Sequence, residues 1–284
     1  MVAIGLIGLL ALLLATVALM LLVAVPTLVG RDRLRLAWIT LPARARVAAP
    51  YFGALLLALA ANSVARDVGP EVSWLVGWNV TGLIYGVEGA AVARLQALAS
   101  PPLTAYFSFV YLAGYVFLLV FPLVAYLALP GPLAFRRTTM AYVVNYVAAL
   151  VCYVLFIAYG PRNLIPDAVH PLLYSTYPSA QLLTSEVNTN TNVFPSLHAS
   201  LSTSVAIMAY RTRREYRGWF LLAVPLAASV AVSTMYLGIH WATDVVAGMG
   251  LGAASVWAAG VYLRRRGVAR TAGSWIPGSR GAPP

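Results

Sequence analysis

Few residues in this chain of 284 carry reactive groups, and they gather in two short polar segments. The first is FPSLHAS, from Phe194 to Ser200. A Pro-Ser pair opens an apolar run there, and Ser196 suits the N-cap of a helix. The unpaired amides of that first turn, the Ser196 hydroxyl and the His198 imidazole would share one small volume. Such a volume suits a phosphate, because the amides and helix dipole hold the anion while the histidine gives or takes a proton. The second segment is STMYLGIHWATD, from Ser233 to Asp244. His240 and Asp244 are four residues apart, which on a helix puts them on one face. A carboxylate on one ring nitrogen fixes the imidazole tautomer and strengthens the other nitrogen as nucleophile or base. Tyr236 and Trp241 read as interfacial anchors around that pair.

Blander readings compete. A lone histidine near the end of a membrane span is more often an interface residue than a catalyst, and Ser196 alone is an ordinary cap. The joint pattern outweighs them: two of the three histidines stand in separate polar motifs at helix ends, and one has a carboxylate at i+4. Zinc would accept two histidines and an aspartate. However, no HExxH-like pair is present, and helix-end amides favour an anion over a cation, so no metal is expected. The third histidine, His170, reads as a loop residue. The single cysteine, Cys152, lies in an apolar run, excludes an intramolecular disulfide, and reads as a small buried hydrophobe.

These segments need a scaffold, and composition says what kind. Apolar residues make up 61% of the chain and charged residues only 10%, against about 25% charged in soluble domains. Such a surface requires a bilayer as solvent. The formal charge is +11, and every cation is arginine. The arginines fall in short clusters between apolar runs, the pattern of cytoplasmic loops; a nucleic-acid partner is not expected. Apolar runs lie at about Val2–Val29, Val47–Ala65, Leu103–Leu129, Thr139–Tyr159, Leu197–Tyr210, Trp219–Leu237 and Val245–Leu263. The fifth is short and rich in Ser and Thr. The first lacks a charged leader and is too long for a signal peptide, so it reads as a retained span. The expected fold is all-α, a polytopic membrane helical bundle of about seven spans.

Counting seven spans puts every basic cluster on one side: Arg31 to Arg46, Arg136 and Arg137, Arg211 to Arg217, and Arg264 to Arg270. That side is assigned to the cytoplasm. The opposite side receives all three histidines, six of the eight acids, and the long loops Arg66–Pro102 and Gly160–Pro195. In the first of these loops Trp74, Trp78, Leu83, Ile84 and Val87 indicate interfacial helix. The chain divides into 1–102 (N-terminal spans and the outer interfacial segment), 103–270 (the catalytic bundle) and 271–284 (a disordered cytoplasmic tail). The expected location is the plasma membrane of a prokaryote, with the site on the non-cytoplasmic face.

With those residues in view, Pro195-Ser196-Leu197-His198 resembles the second signature of the type-2 phosphatidic acid phosphatase superfamily, usually Pro-Ser-Gly-His. Ser233, His240 and Asp244 resemble its third signature in order and spacing. The resemblance covers about Gly160 to Leu263 and implies a six-helix core and no cofactor. It also implies roles: His240 attacks phosphorus, Asp244 orients it, His198 protonates the leaving oxygen, and Ser196 with nearby amides holds phosphate oxygens. Two departures stand out. Position 234 is Thr where the phosphatases usually have Arg, and the Lys–Arg-Pro first signature is replaced by GPRNLIP from Gly160 to Pro166. Arg162 is the candidate phosphate clamp; Arg66 and Arg94 are further candidates. The Phe194–His198 and Ser233–Leu237 segments look closer to the inositol phosphorylceramide synthase branch, whose members transfer a phospho-alcohol headgroup between lipids. The expected partners are the membrane and a lipid phosphate or phospholipid substrate. The rival reading is a lipid or phosphorylated-carrier transporter or scramblase without catalysis.

Overall fold

The protein, seen in a computed structural model, is described for residues 5–181, 193–267 and 275, without the side chains of residues 66–68. The chain is all-α apart from one two-residue strand pair. In order it forms α1 (Leu6–Val29), α2 (Arg31–Ile39), α3 (Leu41–Val76), α4 (Thr81–Glu88), α5 (Ala91–Gln96), α6 (Pro101–Phe109), a π-helical turn (Val110–Gly114) and α7 (Tyr115–Leu127). Then come α8 (Leu133–Leu155), α9 (Pro161–Leu164), α10 (Leu172–Thr176), α11 (Leu197–Arg211), α12 (Arg217–Tyr236) and α13 (Ala242–Arg265). The strands Trp78–Asn79 and Phe156–Ile157 pair in parallel and tie the segment after α3 to the end of α8.

Six helical stretches are long and apolar enough to cross a membrane: Leu6–Val29, Leu41–Ala65, Pro101–Leu127, Leu133–Leu155, Arg217–Tyr236 and Ala242–Arg265. The chain is an integral membrane protein. The fifth expected span is α11, which has only 15 residues. At 1.5 Å per residue it is about 22 Å long, short of the ~30 Å of hydrocarbon in a bilayer. It tolerates this because its neighbours are protein: α8, α12, α13 and α7 pack around it. Its Ser and Thr content, which weakens it as a lipid-facing span, lines those contacts.

Close approach holds this centre together. A Cβ on Gly248 or Gly252 of α13 would collide with the carbonyl oxygen of Ser196 or Ser200. Glycine at both places lets α11 and α13 touch along their backbones, as small residues do between membrane helices. Ser200 Oγ donates to Asn145 Oδ1 of α8 at 2.8 Å, and Ser204 Oγ lies 3.1 Å from Gly252 O. These buried hydroxyls bind α8, α11 and α13 where no water can satisfy them.

The basic clusters meet at one end of the bundle. Arg33 Nη1 donates to Glu215 O at 3.1 Å, and its guanidinium lies over the Tyr216 ring. Arg44 is buried and donates to the carbonyls of Leu127 and Leu129. Trp275 is 3% exposed and donates its indole N–H to Leu129 O at 2.7 Å. Apart from Trp275, the expected disordered tail 271–284 lies outside the described residues. The expected interfacial segment is more built than a surface helix. Trp74, Trp78, Leu83 and Val87 are exposed, as expected, but Ile84 is buried against Val80, Val92 and Trp241. One face of α4 therefore meets the surroundings while the other supports the second histidine.

Candidate active site

At the opposite end, α11 begins with Ser196 in extended conformation, its Oγ accepting from Ala199 N at 3.3 Å. Ser196 N donates to Asp244 O at 3.0 Å, so the cap is joined to the first turn of α13. His198 lies in the first turn of α11. Two tyrosine rings contact its imidazole: Tyr111, stacked at 4.5 Å and 20°, and Tyr115 at 4.3 Å and 38°. Tyr111 lies within the π-helical turn that separates α6 from α7, and Tyr115 directly follows it. π-turns reposition side chains within an otherwise regular helix and are frequent at functional sites.

The second histidine sits in the turn between α12 and α13. Gly238 there has φ +73, and a Cβ would crowd Val169, Gln96 and the His170 carbonyl, so glycine is required both for conformation and for space. Thr234 O accepts from Ile239 N and His240 N at 2.9 and 3.1 Å, closing the end of α12. Gln96 of α5 fastens this turn from outside, donating to His170 O and Tyr236 O at 2.9 Å each and accepting from His170 N.

His240 precedes α13 and does not share a helical face with Asp244, contrary to the sequence expectation. Asp244 is the third residue of α13 and reaches back over the helix end. Its Oδ2 accepts from Trp241 N at 2.9 Å and lies 3.4 Å from His240 Nδ1. His240 is 2% exposed and Asp244 fully buried. The contact is longer than a tight charge-assisted bond of about 2.7–2.9 Å, yet it assigns Nδ1 to the carboxylate and leaves Nε2 for other work. Asp244 Oδ1 is buried without a partner among the described residues. The rings of His198 and His240 are 6.3 Å apart, centroid to centroid. Hydrogen bonds of about 2.6–3.2 Å from each ring would let one phosphate touch both.

Tyr236 and Trp241 are not interfacial anchors: both are completely buried. Tyr236 OH pairs with Thr104 Oγ1 at 2.8 Å, and Trp241 Nε1 donates to Tyr159 O at 2.8 Å. Their polar tips find protein partners, which lets large rings pack behind the histidine turn. Thr234 presents no side chain to the site either. Its hydroxyl donates to Ala231 O at 2.7 Å, and that of Ser233 to Val230 O at 2.7 Å.

Arg162 lies on α9, its backbone N–H donating to Gly238 O at 3.2 Å. Nη2 donates to Tyr174 OH at 2.9 Å, with the guanidinium over the Tyr174 ring. Nη1 is buried without a protein partner among the described residues. Arg162 is within electrostatic reach of Tyr111, the ring stacked on His198. Arg94, in the last turn of α5, is exposed, and the Arg66 side chain lies outside the described residues. His170 is an exposed loop residue, held among the described residues by its backbone. Cys152 is a free, partly buried thiol on α8. Among the described residues, no three His, Cys, Asp or Glu side chains gather as a metal-ligating set.

Four residues at the site escaped the sequence reading. Tyr111 and Tyr115 left a usable signal, two phenols at i, i+4 in an apolar span. Glu88 left a weaker one, a lone acid in a largely apolar outer segment; it accepts from Ala242 N at 2.9 Å and from Thr243 N, capping α13. Gln96 left none.

The family model described as the PAP2 superfamily matches residues 85–258, which run from α4 to the middle of α13. No curated protein and no solved structure matches the chain significantly. The matched range holds Ser196, His198, His240, Asp244 and Arg162 together with Glu88, Gln96, Tyr111 and Tyr115. It covers more than half of the 284 residues, and the chain belongs to the PAP2 superfamily.

Proposed function

We propose that the protein cleaves a lipid phosphoester through a histidine nucleophile and passes the phosphoryl group to water or to an alcohol. Superfamily membership points to phosphatase or phosphotransferase activity. The observation that carries the finer reading is the pair of rings 6.3 Å apart, with Asp244 on the Nδ1 side of His240. In this reading His240 Nε2 attacks phosphorus, and the bond from phosphorus to the leaving oxygen breaks. His198 gives its proton to that oxygen. In the second half-reaction His198 takes a proton from the incoming hydroxyl, whose oxygen attacks the phosphohistidine and breaks the P–N bond. Asp244 holds His240 in the tautomer with Nε2 unprotonated and stabilises the charge that develops on the ring. Ser196, the first amides of α11 and Arg162 hold the phosphate oxygens. No cofactor takes part.

The acceptor we favour is a lipid alcohol, as in the inositol phosphorylceramide synthase branch. Thr234 supports this. It stands where the phosphatases usually have arginine, and its hydroxyl is bonded within its own helix, so one charged contact to the phosphate is missing. We place the arginine end in the cytoplasm, in the plasma membrane of a prokaryote, and the histidine end on the other face. Nothing among the described residues favours a carrier without catalysis.

The test uses purified protein in detergent with lipid phosphates, polyprenyl diphosphates and phosphoinositides, with and without an added alcohol acceptor. Wild type should turn over at least one class, and product carrying the acceptor should dominate when alcohol is present. His240→Ala should lose turnover. Full activity in that variant would refute the mechanism, and hydrolysis unaffected by alcohol would refute the transferase assignment.

A further inference from the structure

We propose that Arg136, Arg137, Arg211 and Arg264 form a binding site for the headgroup of an anionic phospholipid, at the end of the bundle opposite the histidines. The four come from three helices: the first five residues of α8, the last turn of α11 and the last turn of α13. Arg137 sets the geometry. Its guanidinium does not reach outward as a loop cation would. It lies in against α13, where a Cβ on Gly260 would collide with it. Nε and Nη2 share a single acceptor, Val256 O, at 3.3 and 3.4 Å. A guanidinium has five N–H donors, so most of its capacity is unused among the described residues. Arg211 and Arg264 end the two helices that pack against α8 beside it, and their guanidinium groups make no hydrogen bond or ion pair with any described residue. Arg136, the preceding residue of α8, lies over the Tyr51 ring of α3, and its Nε is buried without an acceptor among the described residues.

Like charges brought together between helices repel one another unless an anion joins them. The described residues supply none. The one ion pair among the described residues is His240 with Asp244, at the far end. Asp32 and Glu215, the acids of the arginine end, pair with none of the four. The missing partner is therefore an external anion with several acceptor oxygens, and a phosphate matches guanidinium forks best. Its source follows from the rim. Trp257 and Tyr262 of α13 are 66% and 42% exposed, and Leu133 of α8 is exposed as well. These apolar and aromatic side chains face where acyl chains run, and basic pockets between membrane helices bind anionic headgroups. The positive-inside rule accounts for cations at this end. It does not account for one folded inward beneath a glycine.

The test is lipid binding to the purified full-length protein in neutral detergent, followed by native mass spectrometry and unfolding temperature. Phosphatidylglycerol, phosphatidylcholine and inorganic phosphate are titrated separately. Wild type should retain phosphatidylglycerol and rise in unfolding temperature to a plateau, while phosphatidylcholine should do neither. Arg137→Gln with Arg264→Gln should weaken phosphatidylglycerol binding roughly 30-fold, from about 1 kcal/mol per arginine. Arg214→Gln with Arg217→Gln removes the same charge from the neighbouring α11–α12 connection and the start of α12, and should leave binding nearly intact. Equal weakening in both double variants, or equal binding of phosphatidylcholine, would overturn the site. Inorganic phosphate giving the full temperature rise would overturn the lipid assignment. Should the glutamine pair fail to fold, Arg137→Lys with Arg264→Lys keeps the charge but loses the fork, and must still bind less tightly than wild type.

Discussion

Helices α11 and α13 both begin at the histidine end and pack along each other, yet their first turns are closed in different ways. In α13 the amides of Ala242 and Thr243 are taken by the carboxylate of Glu88, and that of Trp241 by Asp244. The positive end of that helix is already neutralised by the chain itself. In α11 the Ser196 hydroxyl takes only the Ala199 amide, the Leu197 amide meets the Tyr153 hydroxyl, and the amide of His198 has no acceptor among the described residues. A helix start filled by a carboxylate is a cap and rejects a second anion. One closed by a neutral hydroxyl keeps its dipole and its donors for a ligand. The difference divides the labour: α13 positions the proposed nucleophile, and α11 offers the seat for the proposed phosphate.

That division can be broken first at Asp244. Asp244→Asn keeps an oxygen for Trp241 N but removes the charge facing His240. Loss of turnover by about 10²–10⁴-fold is expected, with substrate affinity nearly unchanged because the α11 seat is untouched. A pure affinity defect would put Asp244 in the phosphate seat instead. Glu88→Ala should come next. It opens two amides of α13 and should cost about 1–2 kcal/mol of stability, read as a lower unfolding temperature. It should also convert α13 into a second anion site, read as tighter inhibition by free phosphate. Glu88→Gln keeps an acceptor oxygen and should recover most of the stability. The smallest effect belongs to Ser196. Ser196→Ala should cost about 1 kcal/mol and Ser196→Gly only a few tenths, and both should raise KM more than they lower kcat. A kcat effect as large as that of Asp244→Asn would erase the distinction between the two helix starts.

Local spacing explains what was legible beforehand. Ser196 caps its helix because the Pro-Ser step and the apolar run are contiguous in sequence, and His198 travels with it. His240 and Asp244 meet because three intervening residues allow it, although the pair forms across a helix end and not along a face. The arginine clusters read correctly as one end of the bundle because each lies beside the end of a span. Hidden features depend on distant contacts. Tyr236 and Trp241 looked like interface residues until Thr104 and Tyr159 supplied their buried partners. The brevity of α11 looked like a doubtful span because hydropathy cannot see that protein, not lipid, surrounds it. Glu88 and Gln96 act on residues more than 70 positions away, and no local pattern announces such a contact.

The most direct test of the central claim is to trap the intermediate. A lipid phosphate labelled at phosphorus, mixed with excess protein and quenched within one turnover, should leave acid-labile label on His240. The label should persist longer in a His198 variant that still forms the intermediate but cannot activate the acceptor. Wild-type turnover with no label on the protein, or with the label on a residue other than His240, would contradict the account.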